Sequence, residues 1–184
     1  MIQIDARFFL LGAILLLVLP LDWILAVVFT ALFHELCHIL SVFLLGGRII
    51  HVSVEPGCCV LKTDEMEDWK QFLCILAGPA GSFLLVLLCH FAPKTAICGL
   101  FQGVYNLLPV LPLDGGHLVQ LLLYRVCPKQ SDRILHFMAV GTCIAIDILA
   151  IWISVIIKSG IWPILLAVVW NLKTLSGKNT LQRI

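Results

Sequence analysis

The chain has 184 residues, of which 61% are apolar and 12% charged, with a formal net charge of +1 and a mean hydropathy of +1.06. Such values lie far outside the range of a soluble domain, and the near-neutral charge argues against nucleic acid or an acidic ligand as partner. No charged tail or low-complexity linker interrupts the chain, so residues 1–184 read as one polytopic membrane domain.

Taken in order, Phe8 to Pro20 reads as a short, retained first transmembrane helix, because no small-x-small cleavage site follows it and Pro20-Leu21-Asp22 makes a turn. Trp23 to Leu45 is the second span, ended by Gly46-Gly47. The period then changes. Ile50, Val52 and Val54 alternate with His51, Ser53 and Glu55, Pro56-Gly57 turns the chain, and Cys58-Cys59-Val60-Leu61 returns, which predicts a small β-hairpin at the membrane surface. Asp64 with Glu67 three residues on marks a helix start, and Trp69 to Ala92 is the third span. Inside it, Ala77-Gly78-Pro79-Ala80-Gly81-Ser82 is a run of small residues that lets another backbone approach. Its proline also frees a main-chain carbonyl.

Apolar character continues from Thr95 to Tyr124, too long for one crossing of about 20 residues. Pro109, Pro112 and Gly115-Gly116 cannot continue an ordinary helix, so the backbone must break inside the membrane, where irregular chain is tolerated only if it is buried or lines a wet cavity. Leu135 to Ile157 and a short Ile161 to Leu172 complete six spans. The fold class expected is therefore an all-α polytopic membrane protein of about six transmembrane helices, with the hairpin between the second and third. Alternating the spans gathers Arg7, Arg48, Lys62, Lys70, Arg125, Lys129, Arg133, Lys173, Lys178 and Arg183 on one side, against Lys94 and Lys158 on the other. The positive-inside rule then puts both termini in the cytoplasm.

Eight cysteines occur without a Cys-x-x-Cys pair, and Cys37, Cys74, Cys89, Cys98 and Cys143 fall inside apolar runs. They read as small packing residues. Cys58-Cys59 would point to opposite faces of a strand and also reads as structural.

The chemistry centres on His34-Glu35-Leu36-Cys37-His38. Two histidines four apart share one face of a helix and can hold one metal ion, with the glutamate in reach of the same place. At 1.5 Å per residue they lie about 17 Å into the second span, where ionisable groups are costly and mark function. A catalytic zinc site needs three protein ligands and an open position. His34 and His38 are two; Asp114, about 17 Å from the end of its own span and beside the backbone break, is the best third. Asp147 and His117 are its rivals, Asp147 reading better as a hydrogen-bonded structural carboxyl. Glu35 is the general base that takes a proton from the attacking water and returns it to the departing amine. Peptide hydrolysis is the reaction class that follows. Asn106 could hold an extended substrate backbone or satisfy a carbonyl freed by Pro109. Cys37 faces away from the histidine pair, and His51, His90 and His136 fall near membrane boundaries.

With that helix, the Asn106-to-Gly116 segment and the hairpin together, the chain resembles the site-2 protease family of intramembrane zinc metalloproteases. The spelling Asn-Leu-Leu-Pro-Val-Leu-Pro-Leu-Asp-Gly-Gly is most similar to the sporulation branch, the stage IV sporulation protein FB type. The likeness covers about Trp23 to Arg125. It implies that His34, His38 and Asp114 are zinc ligands and Glu35 the base, and that membrane-tethered proteins are the substrates, in that branch a sigma-factor precursor. It also implies a bacterial cell membrane, with a membrane regulator or inhibitor and an oligomer both compatible with the chain. Many members of the family carry asparagine where this chain has Ser82, and no PDZ or cystathionine-β-synthase-type domain is expected here.

Because a substrate helix hides its peptide bonds, the hairpin's free edge is expected to pair with an unwound substrate segment by strand addition, with Val52 and Val54 as substrate-binding candidates. Two other classes use the same residues: a metal transporter or store, for which Glu35 is optional, and a silent protease-like scaffold. A peptidase of the prenyl-protein type would take a glutamate as third ligand, and no second acidic motif offers one.

Overall fold

A computed structural model describes residues 2–4, 19–55, 58–64, 66–156, 160–161, 163–165, 167–168 and 170–171. The expected first span, most of which is residues 8–18, the Pro56-Gly57 turn and parts of the expected sixth span lie outside the described residues. By its contacts the chain separates into two compact units, residues 1–107 and 108–184. Where the sequence reads as one domain, the division falls at the end of the Asn106 helix, beside the proline-rich break.

Among its described residues the first unit holds a three-stranded sheet and three α-helices. Strand β1 (Ile2–Ile4) pairs parallel with β2 (Ile49–Glu55), which pairs antiparallel with β3 (Cys58–Thr63). Helix α1 (Leu21–Leu44) precedes β2. Helix α2 (Asp68–Leu84), prolonged by a 3₁₀ turn at Leu85–Leu88, and α3 (Pro93–Asn106) follow the sheet.

Helix α1 is inside out by the standards of a soluble helix. Its buried stripe is Ala26, Thr30, His34, His38 and Val42, whereas Leu25, Phe29, Leu32, Leu36, Leu40 and Phe43 are exposed. A helix that hides two histidines and shows leucines is built for an apolar solvent. Thr30, fully buried, satisfies its hydroxyl on the Ala26 carbonyl at 2.6 Å, one turn back in its own helix. Gly46 and Gly47 end α1 as expected, and the structure shows how. Gly46 takes a left-handed φ of 79°, its N–H donates to Phe43, and the Gly47 N–H donates to Val42 at 2.9 Å. This is the Schellman pattern, which caps the last free carbonyls.

Asp64 does not start a helix. Its carboxylate accepts the Arg48 N–H at 2.9 Å while its own N–H donates to the Arg48 carbonyl, closing the base of the β2–β3 pair. The residue preceding α2 is Glu67, with no side-chain cap. Strand closure thus competes successfully for the aspartate that the capping pattern claims.

Three helices among the described residues are long and apolar enough to cross a membrane: Leu21–Leu44, Asp68–Leu88 and Ser131–Ile156. The expected fourth span is two shorter helices, α3 and, in the second unit, α4 (Asp114–Val126), with the proline-rich stretch between them. The second unit also contains α5 (Ser131–Ile156). Gly116 is required by close approach: a Cβ there would meet the Val110 carbonyl carbon at 2.5 Å. Val110 and Leu113, both buried, anchor the loop that leads into α4.

Candidate metal centre

His34 and His38 are 2% and 8% exposed, on the face of α1 that packs on α2. Their Nε2 atoms stand 3.2 Å apart. The other ring nitrogens are both engaged. His38 Nδ1–H donates to the main-chain carbonyl of Cys74 at 2.7 Å, and His34 Nδ1 meets Ser82 Oγ at 2.8 Å. A carbonyl can only accept, so the neutral His38 ring keeps its proton on Nδ1 and presents a lone pair at Nε2.

The small-residue run of α2 explains how the pair is housed. A Cβ at residue 78 would stand 2.1 Å from His38 Nε2 and 2.7 Å from His34 Nε2. Only glycine leaves the space in front of the two lone pairs open. One turn on, a Cβ at Gly81 would stand 2.3 Å from Cys37 Sγ. Cys37 therefore packs on α2, in agreement with its reading as a packing residue. Pro79 frees the carbonyl of Ile75, yet the carbonyl used by His38 is that of Cys74.

The donor set passes a geometric test for zinc. Two nitrogens at Zn–N distances of 2.0–2.1 Å and a tetrahedral angle are about 3.3 Å apart, close to the observed 3.2 Å. Hydrogen bonds at both Nδ1 atoms, with the Cys74 carbonyl and with Ser82 Oγ, fix the orientation of the rings as is usual for metal-binding imidazoles.

Glu35 is half-buried, with Oε2 shielded. Asn106 closes α3, and its Nδ2 lies 3.3 Å from His34 Nε2. Beyond the substrate contact or freed carbonyl that the sequence suggests for this residue, the fold brings its amide directly to the His34 ring. Val52 and Val54 lie in the middle strand: Val52 is in register with Ile2 and Leu61, Val54 with Ile4 and Cys59. The β2 edge expected to be free is thus taken by β1 where those valines lie. The hairpin pattern cannot reveal this, because the covering strand pairs with residues 50 positions further along the chain.

In the second unit, Asp114 opens α4, where the helix N-terminus favours a carboxylate. His117 follows at i+3, on the same helix face. Asp147 on α5 accepts from Asn171 Nδ2 at 2.8 Å on both carboxylate oxygens. Sequence reasoning missed Asn171, although one carboxamide in an apolar run, matched to one carboxyl in another, was a usable signal. Ser82 stands where many members of the site-2 protease family carry asparagine, and its spacing of four from Gly78 is the sequence signal that it shares the histidine-facing side. His90 and His136 are exposed.

Residues 87–146 match the family model Peptidase family M50. The likeness is to the M50 peptidases. The chain is 29% identical over 167 residues to the Synechocystis sp. protein named "Putative zinc metalloprotease sll0528", a match covering 79% of this chain and 43% of that protein. The chain thus spans less than half the length of this curated relative. Its fold is similar to that of the Site-2 Protease from Methanocaldococcus jannaschii, with a TM-score of 0.66 at 17% identity, over 100% of this chain and 93% of that one.

Proposed function

We propose that the chain is an intramembrane zinc endopeptidase that cleaves membrane-tethered proteins. The observation that carries the reading is the pair of Nε2 atoms 3.2 Å apart over Gly78, each ring held from behind through Nδ1. His34, His38 and Asp114 would hold the ion, Asp114 being proposed from its place at the backbone break and from the family likeness. A zinc ion held there would supply Lewis acidity toward a peptide carbonyl and lower the pKa of bound water to about 7.

The chain's own residues do the rest. Glu35 takes the proton of the attacking water and gives it to the leaving amine. Asn106, whose amide is directed at His34 Nε2, has a donor to offer a substrate carbonyl once that lone pair is given to a metal. The apolar outer face of α1 excludes bulk water, which strengthens every polar contact at the site.

The spelling of Asn106 to Gly116 supports the sporulation branch, with regulated intramembrane proteolysis of a sigma-factor precursor as its activity. Pairing of Ile2–Ile4 with the strand after α1 supports a first span that runs out before α1 runs back, and the distribution of lysine and arginine supports cytoplasmic termini. An unwound substrate would add to the sheet at β3, whose outer edge has no partner strand among the described residues. Prolines placed singly at Val60 and Leu61 test this, since adjacent strand residues point their N–H groups to opposite edges. One of the two should lower cleavage while zinc and the melting point stay unchanged; unaltered cleavage in both would sink strand addition at this edge.

The ligand set is tested without any substrate, by measuring zinc in detergent-purified wild type and Asp114→Asn. The wild type should hold roughly one ion per chain and the variant should lose it. Unchanged zinc in Asp114→Asn would move the third ligand to Asp147 or His117, and a zinc-free wild type would defeat the metalloprotease reading.

A further inference from the structure

We infer that Ser82 is a positioning residue for the metal: its hydroxyl orients His34 and keeps the Nε2 lone pair of that ring turned toward the ion. This deepens the zinc reading and rests on it. Ser82 is fully buried, its Oγ is 2.8 Å from His34 Nδ1, and the two residues are 48 apart in sequence. The serine itself is held in place from behind. A Cβ at Gly99 of α3 would meet the Ser82 carbonyl at 2.6 Å, so two backbones touch there and clamp the residue between α1 and α3. A flexible surface hydroxyl would impose no orientation; a clamped one does.

The two histidines are held by unlike partners. His38 faces a carbonyl, which accepts only and admits one tautomer. His34 faces a hydroxyl, which can donate or accept. With Ser82 as donor, His34 carries its proton on Nε2 and that N–H points at the His38 lone pair 3.2 Å away, so the pair closes on itself. With Ser82 as acceptor, the proton sits on Nδ1 and both Nε2 lone pairs face the open space over Gly78. Asn106 Nδ2, 3.3 Å from His34 Nε2, favours the second arrangement because its amide N–H offers a proton to that lone pair. Ser82 therefore lets one histidine pair be stable in either state without moving a helix, and metal binding selects the accepting role.

The test is zinc affinity by chelator competition in wild type, Ser82→Ala, Ser82→Thr and Thr30→Val, each referred to its own metal-free form. Ser82→Ala should bind zinc about 10–100-fold more weakly, the range for loss of an outer-shell partner. Ser82→Thr, which keeps the hydroxyl, should bind near wild type. Thr30→Val removes a hydroxyl that is equally buried but bonded only within its own helix, so it should leave affinity unchanged. Equal affinity in Ser82→Ala and wild type, or the same loss in Ser82→Ala and Thr30→Val, overturns the inference. A wild type that binds no zinc instead overturns the metal reading beneath it.

Discussion

Gly78→Ala is expected to abolish zinc binding and proteolysis together, although it adds a single methyl group. The added carbon would lie 2.1 Å from His38 Nε2 and 2.7 Å from His34 Nε2, well inside contact distance. Either the imidazoles swing away or α2 withdraws from α1. Zinc sites tolerate errors of only about 0.2 Å in ligand distance, so each response disrupts the donor pair. The loss of affinity should exceed the roughly 10–100-fold typical of an outer-shell change. Gly141→Ala on α5 is the control, since a Cβ there meets nothing within 4 Å. It should leave zinc untouched and stabilise its helix by about 0.5–1 kcal/mol. Stoichiometric zinc in Gly78→Ala, measured on purified protein, would show that the cradle is not where the ion sits.

Glu35→Gln should separate the two halves of the proposed function. The amide keeps the size of the side chain and can still form hydrogen bonds, but it cannot accept the proton of the attacking water. Bound zinc should stay at the wild-type level, while cleavage falls by about 10²–10⁴-fold, the usual contribution of a positioned general base. Cleavage and zinc content, measured on the same preparation, decide the matter. A metal transporter would keep its transport in this variant, because moving an ion needs ligands and no base; retained transport would therefore favour that rival class.

Much of the site is visible in the sequence because its signals are local. The spacing of His34 and His38 places both on one helix face whatever the rest of the chain does. Gly46-Gly47 can end α1 without a tertiary partner, since the capping bonds reach back only to Phe43 and Val42. The loss of helix between Asn106 and Asp114 follows from prolines and glycines acting on their own neighbours. Asp64 shows the limit of such reasoning. Its pattern with Glu67 is that of a helix start, but a pairing with Arg48, 16 residues away, offers both its carboxylate and its N–H a partner.

Composition and spacing by themselves determined that this chain is apolar enough for a membrane, that one helix carries two histidines on one face with a glutamate beside them, and that the backbone breaks before Asp114. Only the tertiary structure decided what stands behind those histidines. Ser82 and the Cys74 carbonyl lie 48 and 36 residues from the rings they orient, and Asn171 lies 24 from Asp147. It also decided that β1 covers β2 beside Val52 and Val54, moving the open edge to β3. The physical reason is common to all of these. Helix periods, turns and breaks arise from bonds between near neighbours, whereas the partner of a buried polar group is whichever donor or acceptor packing brings within 3 Å, and no local pattern encodes that choice.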